Sequence, residues 1–294
     1  MFSRAAERRQ TSSGGDMRSI LEAIDRKRLL VSDGAWGTML MGAGLRPGEC
    51  PEVWSVEHPD VLLNIGRQYI EAGADMITTN SFAAASISRQ AAGADHFVIA
   101  SIGPTGKMVL MGDITEHDLY EAFCEQAIAL EAGGADACCV ETMSATDEAI
   151  QAVRAVKDNT ALEAICTFTF EREVDGAYYT MMGVTPAQAA TAAIEAGADI
   201  IGTNCSQGPG PMVSIVREMR AAAPTVPIIV HPNAGRPAHT DQGDIYPETP
   251  KSMSACVHEL VSAGATIVGG CCGTTPAHIR SIAKAVDIER MRLA

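Results

Sequence analysis

Short apolar runs alternate with amphipathic stretches along most of this chain. Segments such as "HPDVLLNIGRQYIEAG", "TEHDLYEAFCEQAIALEAGG" and "TPAQAATAAIEAG" place apolar residues on one helical face. The apolar runs between such segments are five to seven residues long and rich in β-branched residues, which is typical of buried parallel strands. They predict eight strands, at residues 29–33, 76–80, 97–103, 137–142, 164–168, 200–205, 228–233 and 266–271.

One phrase recurs at the junctions between helix and strand. Its copies are "EAGADMITTN", "EAGGADACCVET", "EAGADIIGTNC" and "SAGATIVGGCC", which begin at Glu71, Glu131, Glu195 and Ser262. Glycine can adopt the left-handed conformation that ends a helix, and the apolar run after it suits a buried strand. The repeat therefore indicates successive βα units.

Eight such units predict a single α/β domain, a (β/α)8 TIM barrel. Thr185-Pro186 and Thr249-Pro250 are expected to be the N-cap and first residue of two of its helices. The unit between strands two and three is short, since only residues 83–96 are available for it. An open, doubly wound sheet is the alternative, but no glycine-rich phosphate loop follows any predicted strand.

The length of 294 residues accommodates one barrel of about 250 residues and little more. We expect a disordered tail at residues 1–16, with a transit peptide as the alternative, and one domain at residues 17–294. The N-terminus lacks a secretory apolar stretch, and no apolar run reaches about 18 residues. These features favour a cytoplasmic protein that does not enter membranes.

Charge and cysteine content narrow the function classes. A formal net charge of −14 argues against nucleic-acid binding, which depends on clustered Lys and Arg. The nine cysteines are odd in number and lie mostly in apolar segments, so a disulfide framework explains them poorly. Small buried side chains, metal ligands and nucleophiles remain as their roles. The first of these is expected for Cys124, Cys138, Cys139, Cys166 and Cys256.

Polar residues fall at the carboxyl ends of the predicted strands, where barrel enzymes build their active sites. We expect them to form one ring around the mouth of the barrel. Asp33 and Glu141 also fit a plain structural role as caps or ion-pair partners. The strand ends in question are Asp33-Gly34, Thr79-Asn80, Glu141-Thr142, Asn204-Cys205, Pro232-Asn233 and Cys271-Cys272.

The stretch "IVGGCCGTTPAHI", residues 267–279, contains two adjacent cysteines flanked by glycines. Glycines free the backbone, so both thiols can turn toward one ion, and Cys205 would supply a third sulfur. Three thiolates and an open position are the ligand pattern of a catalytic zinc site. From the residues alone, metal binding, simple packing and a redox-active vicinal pair all remain open. Thr274, Thr275 and Pro276 are expected to begin the following helix, as an N-cap with proline in the first turn.

Seven motifs in order resemble one known family, that of the homocysteine S-methyltransferases. They are "DGAWGTML", "TTNSF", "ASIGPTG", "VETMSATDEA", "GTNCSQGP", "HPNAG" and "GGCCGTTPAHI", and the likeness covers residues 29–286. The family includes betaine-homocysteine methyltransferase, S-methylmethionine-homocysteine methyltransferase and the homocysteine-binding module of cobalamin-dependent methionine synthase. The resemblance implies a barrel enzyme that methylates homocysteine to methionine.

The resemblance also implies roles for particular residues. Cys205, Cys271 and Cys272 match the zinc ligands of the family, one zinc per chain. Asp33 and Glu141 match acidic residues that contact the amino acid moiety of homocysteine. The resemblance also places four further residues at the substrate-binding site, with less defined roles: Gly34, Thr79, Asn80 and Asn204.

The methyl donor is expected to be external. The motifs look closest to the methionine synthase branch, so we expect methylcobalamin on a separate corrinoid protein to deliver the methyl group. Betaine and S-methylmethionine are the alternative donors, and a non-catalytic zinc- or thiol-binding protein is the alternative function. A thiol other than homocysteine as acceptor and assembly into a homo-oligomer both remain open.

Overall fold

The computed structural model describes residues 18–46, 48–80, 85–240 and 243–294. The tail predicted for residues 1–16 lies outside this described part. In chain order the strands are β1 Leu30–Val31, β2 Met76–Thr78, β3 Phe97–Ile102, β4 Ala137–Met143, β5 Glu163–Phe168, β6 Arg172–Val174, β7 Ala177–Tyr179, β8 Ile200–Asn204, β9 Ile228–His231, β10 Ala238–Thr240, β11 Gly243–Ile245 and β12 Ile267–Val268.

Eight parallel strands form the sheet that the sequence predicts. Their order is β1-β12-β9-β8-β5-β4-β3-β2, and each neighbouring pair is parallel. A parallel bridge between Ser32 and Met76 joins the two ends, with the Asp75 amide donating to the Val31 carbonyl oxygen at 2.8 Å. The barrel is thereby closed, which confirms the predicted fold class.

Helices surround this sheet. They are α1 Ile20–Lys27, α2 Trp36–Gly42, α3 Trp54–Glu57, α4 Pro59–Glu71, α5 Ala85–Ala92, α6 Glu116–Ala132, α7 Thr146–Asn159, α8 Pro186–Ala196, α9 Pro209–Ala222, α10 Pro250–Ala255, α11 Val257–Ala263 and α12 Pro276–Leu293. Short 3-10 turns lie at Pro51–Val53 and Val109–Met111. No helix in this described part combines the length and apolar character that crossing a membrane requires.

The predicted helix starts and stops are in place. Thr185 and Thr249 each cap a helix whose first residue is proline, and each accepts a hydrogen bond from the backbone amide three residues on. Gly197 and Gly264 end α8 and α11 in the left-handed conformation. Capping side chains and terminal glycines therefore satisfy the orphan backbone groups as the sequence indicates.

Two apolar clusters hold the layers together. Inside the barrel, a buried residue from each of the eight strands packs with others, Ile165, Ile200 and Ile229 among them, and α1 closes the floor with Ile20 and Ile24. A larger cluster fills the space between the strands and the outer helices. Burial of both clusters is the main stabilising term for the fold.

Several boundaries differ from the sequence expectation. The strands expected at 29–33 and 266–271 retain ladder pairing only at Leu30–Val31 and Ile267–Val268, because the chain turns at their ends to build loops. The region 249–264 forms two short helices separated at Cys256 rather than one. The short unit between β2 and β3 does contain a helix, α5, and the two antiparallel hairpins β6-β7 and β10-β11 were not predicted.

Candidate metal centre

Three cysteine sulfurs meet at the mouth of the barrel. Cys205 follows β8, and Cys271 and Cys272 lie in the turn between β12 and α12. The Cys205 and Cys272 sulfurs are 3.8 Å apart, the Cys271 and Cys272 sulfurs 3.9 Å, and all three lie within 4.8 Å of one another. In the described residues this is the group of side chains whose spacing suits a metal ion.

These distances fit a tetrahedral metal. Zinc binds thiolate sulfur at about 2.3 Å, so two sulfurs on a tetrahedral edge are about 3.8 Å apart. Two of the sulfur pairs already have this separation, and the third needs only a small movement. Three thiolates leave a fourth position for another ligand, as in catalytic zinc sites.

The loops after β8, β9 and β12 are joined by backbone hydrogen bonds that fix the cysteines. The Cys205 amide donates to the His231 carbonyl oxygen at 3.0 Å, and the Cys271 amide donates to that of Pro232 at 2.8 Å. Cys205 itself has a left-handed backbone, with φ of 63°. A non-glycine residue in this region is strained, and such strain is concentrated at functional sites.

Two glycines are required by this packing. Gly273 has φ of 79°, and a Cβ there would lie 2.1 Å from Cγ of Tyr246. A Cβ on Gly34 would lie 2.6 Å from the Thr274 hydroxyl oxygen, so the turn after β1 also depends on glycine. Gly273 therefore shapes the Cys-Cys segment as expected, because only a residue without a side chain leaves room for the Tyr246 ring beside the cysteines.

The three thiols do not share their protons equally. Hydrogen bonds from Cys271 and Cys272 hold the pKa of Cys205 well below that of a free cysteine, and the Asn233 side chain and the Ser206 amide add to this effect. The same hydrogen bonds to Cys205 raise the pKa values of Cys271 and Cys272. The hydrogen bonds within the cluster therefore favour a negative charge on its sulfurs, at the position where a cation would bind.

Asp33 is buried directly after β1. Its Oδ2 accepts hydrogen bonds from Trp36 Nε1 at 2.8 Å, the Thr78 amide at 2.8 Å and the Thr78 hydroxyl at 3.1 Å. Burial raises the pKa of Asp33 to about 6, although these hydrogen bonds oppose the shift. The carboxylate thus joins β1 to β2 and α2, a structural role in addition to the predicted contact with substrate.

Glu141, near the end of β4, is partly exposed at the mouth. The Ser101 hydroxyl donates to its carboxylate. Burial raises the pKa of Glu141 to about 7, and the negative charges of Asp33 and Cys205 contribute to that rise. The second predicted acidic residue therefore faces the same region as the cysteines and Asp33.

The remaining predicted substrate positions have partners within the protein. Asn204 accepts from the Thr142 amide and the Thr167 hydroxyl through Oδ1 and donates to the Thr142 hydroxyl through Nδ2. The Thr79 hydroxyl accepts from the Ser101 amide at 3.0 Å, and Asn80 Nδ2 donates to the Pro51 carbonyl oxygen at 2.7 Å. These contacts order the loops of the mouth, while contact with substrate stays a prediction for all of them and for Gly34.

The sequence assigned no part in the site to Thr274, which was expected only at the helix N-cap, or to His231. The Thr274 hydroxyl accepts from the Ala35 amide and donates to the Cys271 carbonyl oxygen, whereas the adjacent Thr275 is the helix cap. His231 is buried, burial lowers its pKa to about 4, and Nε2 has no partner among the described residues. "HPNAG" already contained His231, but only the structure shows that its ring lies beside Gly269.

The predicted buried cysteines divide into two groups. Cys138, Cys139 and Cys166 are fully buried in the apolar clusters, as expected. Cys124 and Cys256 are only half-buried, since both lie on outer helices or between them. Burial raises the pKa of all five thiols, which keeps them protonated and distinguishes them from Cys205.

Comparison with known sequences gives one consistent family. A model of the family described as homocysteine S-methyltransferase matches residues 30–93 and 83–286. Methionine synthase of Mycobacterium leprae is 32% identical over 302 residues, covering 91% of this chain and 25% of that protein. Methionine synthase of Mycobacterium tuberculosis is 32% identical over 300 residues, covering 90% and 25%. The chain spans about a quarter of the length of these curated relatives.

Solved structures show the same fold. The homocysteine methyltransferase MmuM from Escherichia coli, in its apo form, superposes with a TM-score of 0.71 at 19% identity, covering 89% of this chain and 97% of that one. Its metallated form superposes with a TM-score of 0.70 at 20% identity, covering 90% and 98%. At this identity the likeness establishes the fold.

Proposed function

Because this chain belongs to the homocysteine S-methyltransferase family, as its motifs predicted, we propose that it is a methyltransferase that converts homocysteine to methionine. The observation that carries the proposal is the group of three cysteine sulfurs at the mouth of a barrel with two carboxylates nearby. The family match supports it, since residues 30–286 include every one of these side chains.

The proposed metal is zinc, held by Cys205, Cys271 and Cys272. The sulfur separations of 3.8 and 3.9 Å support this choice, as does the soft, sulfur-only donor set. The relative solved in a metallated form has the same fold. When bound, zinc would supply a positive charge that favours the thiolate form of a thiol substrate, whose free pKa is near 8.5.

The protein's own groups account for binding of the amino acid end of the substrate. Asp33 and Glu141 supply negative charge on the side of the mouth formed by β1 and β4, and a substrate ammonium group would pair with them through charge-assisted hydrogen bonds. That ammonium group would also lower the pKa of both carboxyls from their raised values. The carboxylates thereby select an amino acid over a simple thiol.

For the methyl donor we propose a methyl-corrinoid protein or module outside this barrel. The matched region is only a quarter of the two mycobacterial methionine synthases, which supports a donor carried by a different part of the machinery. A small-molecule donor such as S-methylmethionine or betaine is the second candidate. It is favoured by the fact that the chain covers 97% of the E. coli homocysteine methyltransferase, a protein of a single barrel's length.

A donor panel with purified protein tests the proposal. Zinc-loaded protein is incubated with homocysteine and methylcobalamin, betaine, S-methylmethionine or S-adenosylmethionine, and methionine is quantified. We expect about one zinc per chain and methionine with at least one donor. Cys272→Ser should lose the metal and the activity, whereas Cys50→Ser, which changes an exposed thiol, is the matched control.

Three outcomes would count against the proposal in different ways. Zinc bound without methionine from any donor would indicate a binding protein. Metal-free protein with a Cys271-Cys272 disulfide would indicate a redox pair. Methylation of other thiols in preference to homocysteine would show that the carboxylates do not select an amino acid.

A further inference from the structure

Residues 246–248 cross the outer side of the cysteine cluster, directly after the hairpin β10-β11. We name these residues, Tyr246, Pro247 and Glu248, the strap. The Glu248 amide donates to the Ala234 carbonyl oxygen at 2.9 Å, and His278 Nε2 lies 3.1 Å from the Glu248 carbonyl oxygen. The strap is therefore fixed to the loop after β9 on one side and to the start of α12 on the other.

The strap holds the Tyr246 side chain against the backbone that follows Cys272. A Cβ built on Gly273 would lie 2.1 Å from Tyr246 Cγ and 2.5 Å from Tyr246 Cβ, so the tyrosine occupies the space that any other residue at 273 would need. Gly273 is fixed in turn, because its amide donates to the Thr38 hydroxyl at 3.1 Å. The strap on one side and the backbone at Gly273 on the other therefore fix the position of the Tyr246 side chain.

The Tyr246 hydroxyl faces the Cys272 sulfur closely enough for the two groups to share a hydrogen bond. A thiolate carries no hydrogen to donate, so in a hydrogen bond between the two groups the hydroxyl is the donor. Cys205 has a comparable donor in the side chain of Asn233, from the neighbouring loop.

We propose that Tyr246 is a positioning residue for the metal-binding thiolates, donating its hydroxyl hydrogen to Cys272 and covering the outer side of the cluster with its ring. A hydrogen bond to a thiolate withdraws electron density from the sulfur and fixes its direction, and such outer partners alter metal affinity by about 10- to 100-fold. This inference rests on the proposed function only in taking the three sulfurs as metal ligands. It concerns metal binding and not methyl transfer.

The packing of the ring and the hydrogen bond of the hydroxyl are separable. Tyr246→Phe removes only the oxygen and keeps the ring over Gly273. Tyr178→Phe is the matched control, since the partner of that hydroxyl is Glu173, 3.4 Å away in the hairpin β6-β7. Both tyrosines are partly exposed, so neither variant should disturb folding, and thermal unfolding of the metal-free proteins would verify this.

The experiment measures zinc affinity by competition with a chromophoric chelator, and the near-ultraviolet sulfur-to-cobalt charge-transfer band after loading with Co²⁺. For Tyr246→Phe we expect zinc affinity about tenfold weaker and a shifted cobalt band, with both unchanged in Tyr178→Phe. Equal zinc affinities and an identical cobalt band in wild type and Tyr246→Phe would overturn the positioning role and leave the proposed function standing. Wild-type protein that binds neither metal would overturn both.

Discussion

At the scale of single residues, the carboxylates of Asp33 and Glu141 lie near the same site but differ in their hydrogen-bond partners and their exposure. Asp33 accepts hydrogen bonds from groups on β2 and α2 through one oxygen, Oδ2. Glu141 has the Ser101 hydroxyl as its described donor and is more accessible. We infer that Asp33 is needed for the shape of the mouth as well as for substrate, whereas Glu141 is available mainly to the substrate.

Substitutions at Asp33 should separate these two roles. Asp33→Ala leaves the Trp36 and Thr78 donors buried without an acceptor, so the free energy of unfolding should fall by about 3 kcal/mol. Asp33→Asn can keep its amide oxygen toward those donors and should change stability by less than about 1 kcal/mol. Loss of the charge should still weaken homocysteine binding about tenfold, since hydrogen bonds to charged groups contribute about 1.5–3 kcal/mol.

Urea unfolding and isothermal titration calorimetry with homocysteine measure the two effects separately. Glu141→Gln is the companion variant, expected to weaken binding to a similar degree with little change in stability. If Asp33→Asn binds homocysteine as well as wild type does, the substrate contact assigned to Asp33 is wrong and only its structural role remains.

The sequence indicated the site residues that carry an unusual local signal. Two adjacent cysteines among glycines and a polar residue at each strand end could be recognised, and Cys205, Cys271 and Cys272 do meet. Tyr246 is 26 residues from Cys272 in the chain and Asn233 is 28 residues from Cys205, yet each side chain lies beside that sulfur. Nothing in "DIYPETP" distinguishes Tyr246 from an ordinary loop tyrosine, because its importance depends on the space left by Gly273.

At the scale of elements, the sequence predicted where helices begin and end, but it did not predict where one helical stretch is interrupted. Capping threonines and terminal glycines interact only with backbone groups within four residues, so the local sequence is enough to predict these helix ends. The break at Cys256 between α10 and α11 has no glycine or proline to mark it. The strands of the hairpins β6-β7 and β10-β11 are each three residues long, and they lack the alternating apolar pattern on which strand prediction depends.

Helix α1 offers a pH-dependent test of how the floor of the barrel is attached. The Glu163 carboxylate, at the start of β5, accepts from the Ser19 hydroxyl and from the Ile20 amide at 2.8 Å. Burial raises the pKa of Glu163 above the ordinary 4.5, against the effect of these hydrogen bonds. The folded protein therefore holds this proton more tightly than the unfolded chain, and stability from this group is greatest at low pH.

As the pH rises from about 4.5 through the raised pKa, wild type should lose stability relative to Glu163→Gln, which cannot ionise. Urea unfolding of both proteins between pH 4.5 and 8 measures the difference at each pH. The exposed Glu22→Gln on the same helix controls for general effects of charge removal. A difference that is constant with pH, or that moves in favour of wild type, would contradict the raised pKa.

At the scale of the whole molecule, the barrel explains why a site can be assembled from residues far apart in the chain. The apolar interior below and the closed ring of strands fix the positions of the strand ends, and the mouth collects what those ends carry. Cys205 and Cys272 are 67 positions apart in the chain, yet only β9 separates β8 from β12 in the sheet. The number and order of the strands could be predicted from the βα repeat. The distances between the sulfurs could not, because they depend on the conformation of the loops that follow the strands.

Metal binding should therefore stabilise the entire domain, because its ligands come from two strands of one closed sheet. A ligand that binds only the folded state stabilises it by about 2.7 kcal/mol at 100 times its Kd, and for a chain of this length that corresponds to a rise in Tm of about 4 °C. Differential scanning calorimetry with and without zinc measures the shift, which Cys205→Ser should abolish and Cys50→Ser should preserve. Nine cysteines in the unfolded chain also bind some zinc, so a smaller rise than 4 °C agrees with the site, whereas an equal rise in Cys205→Ser would place the metal elsewhere.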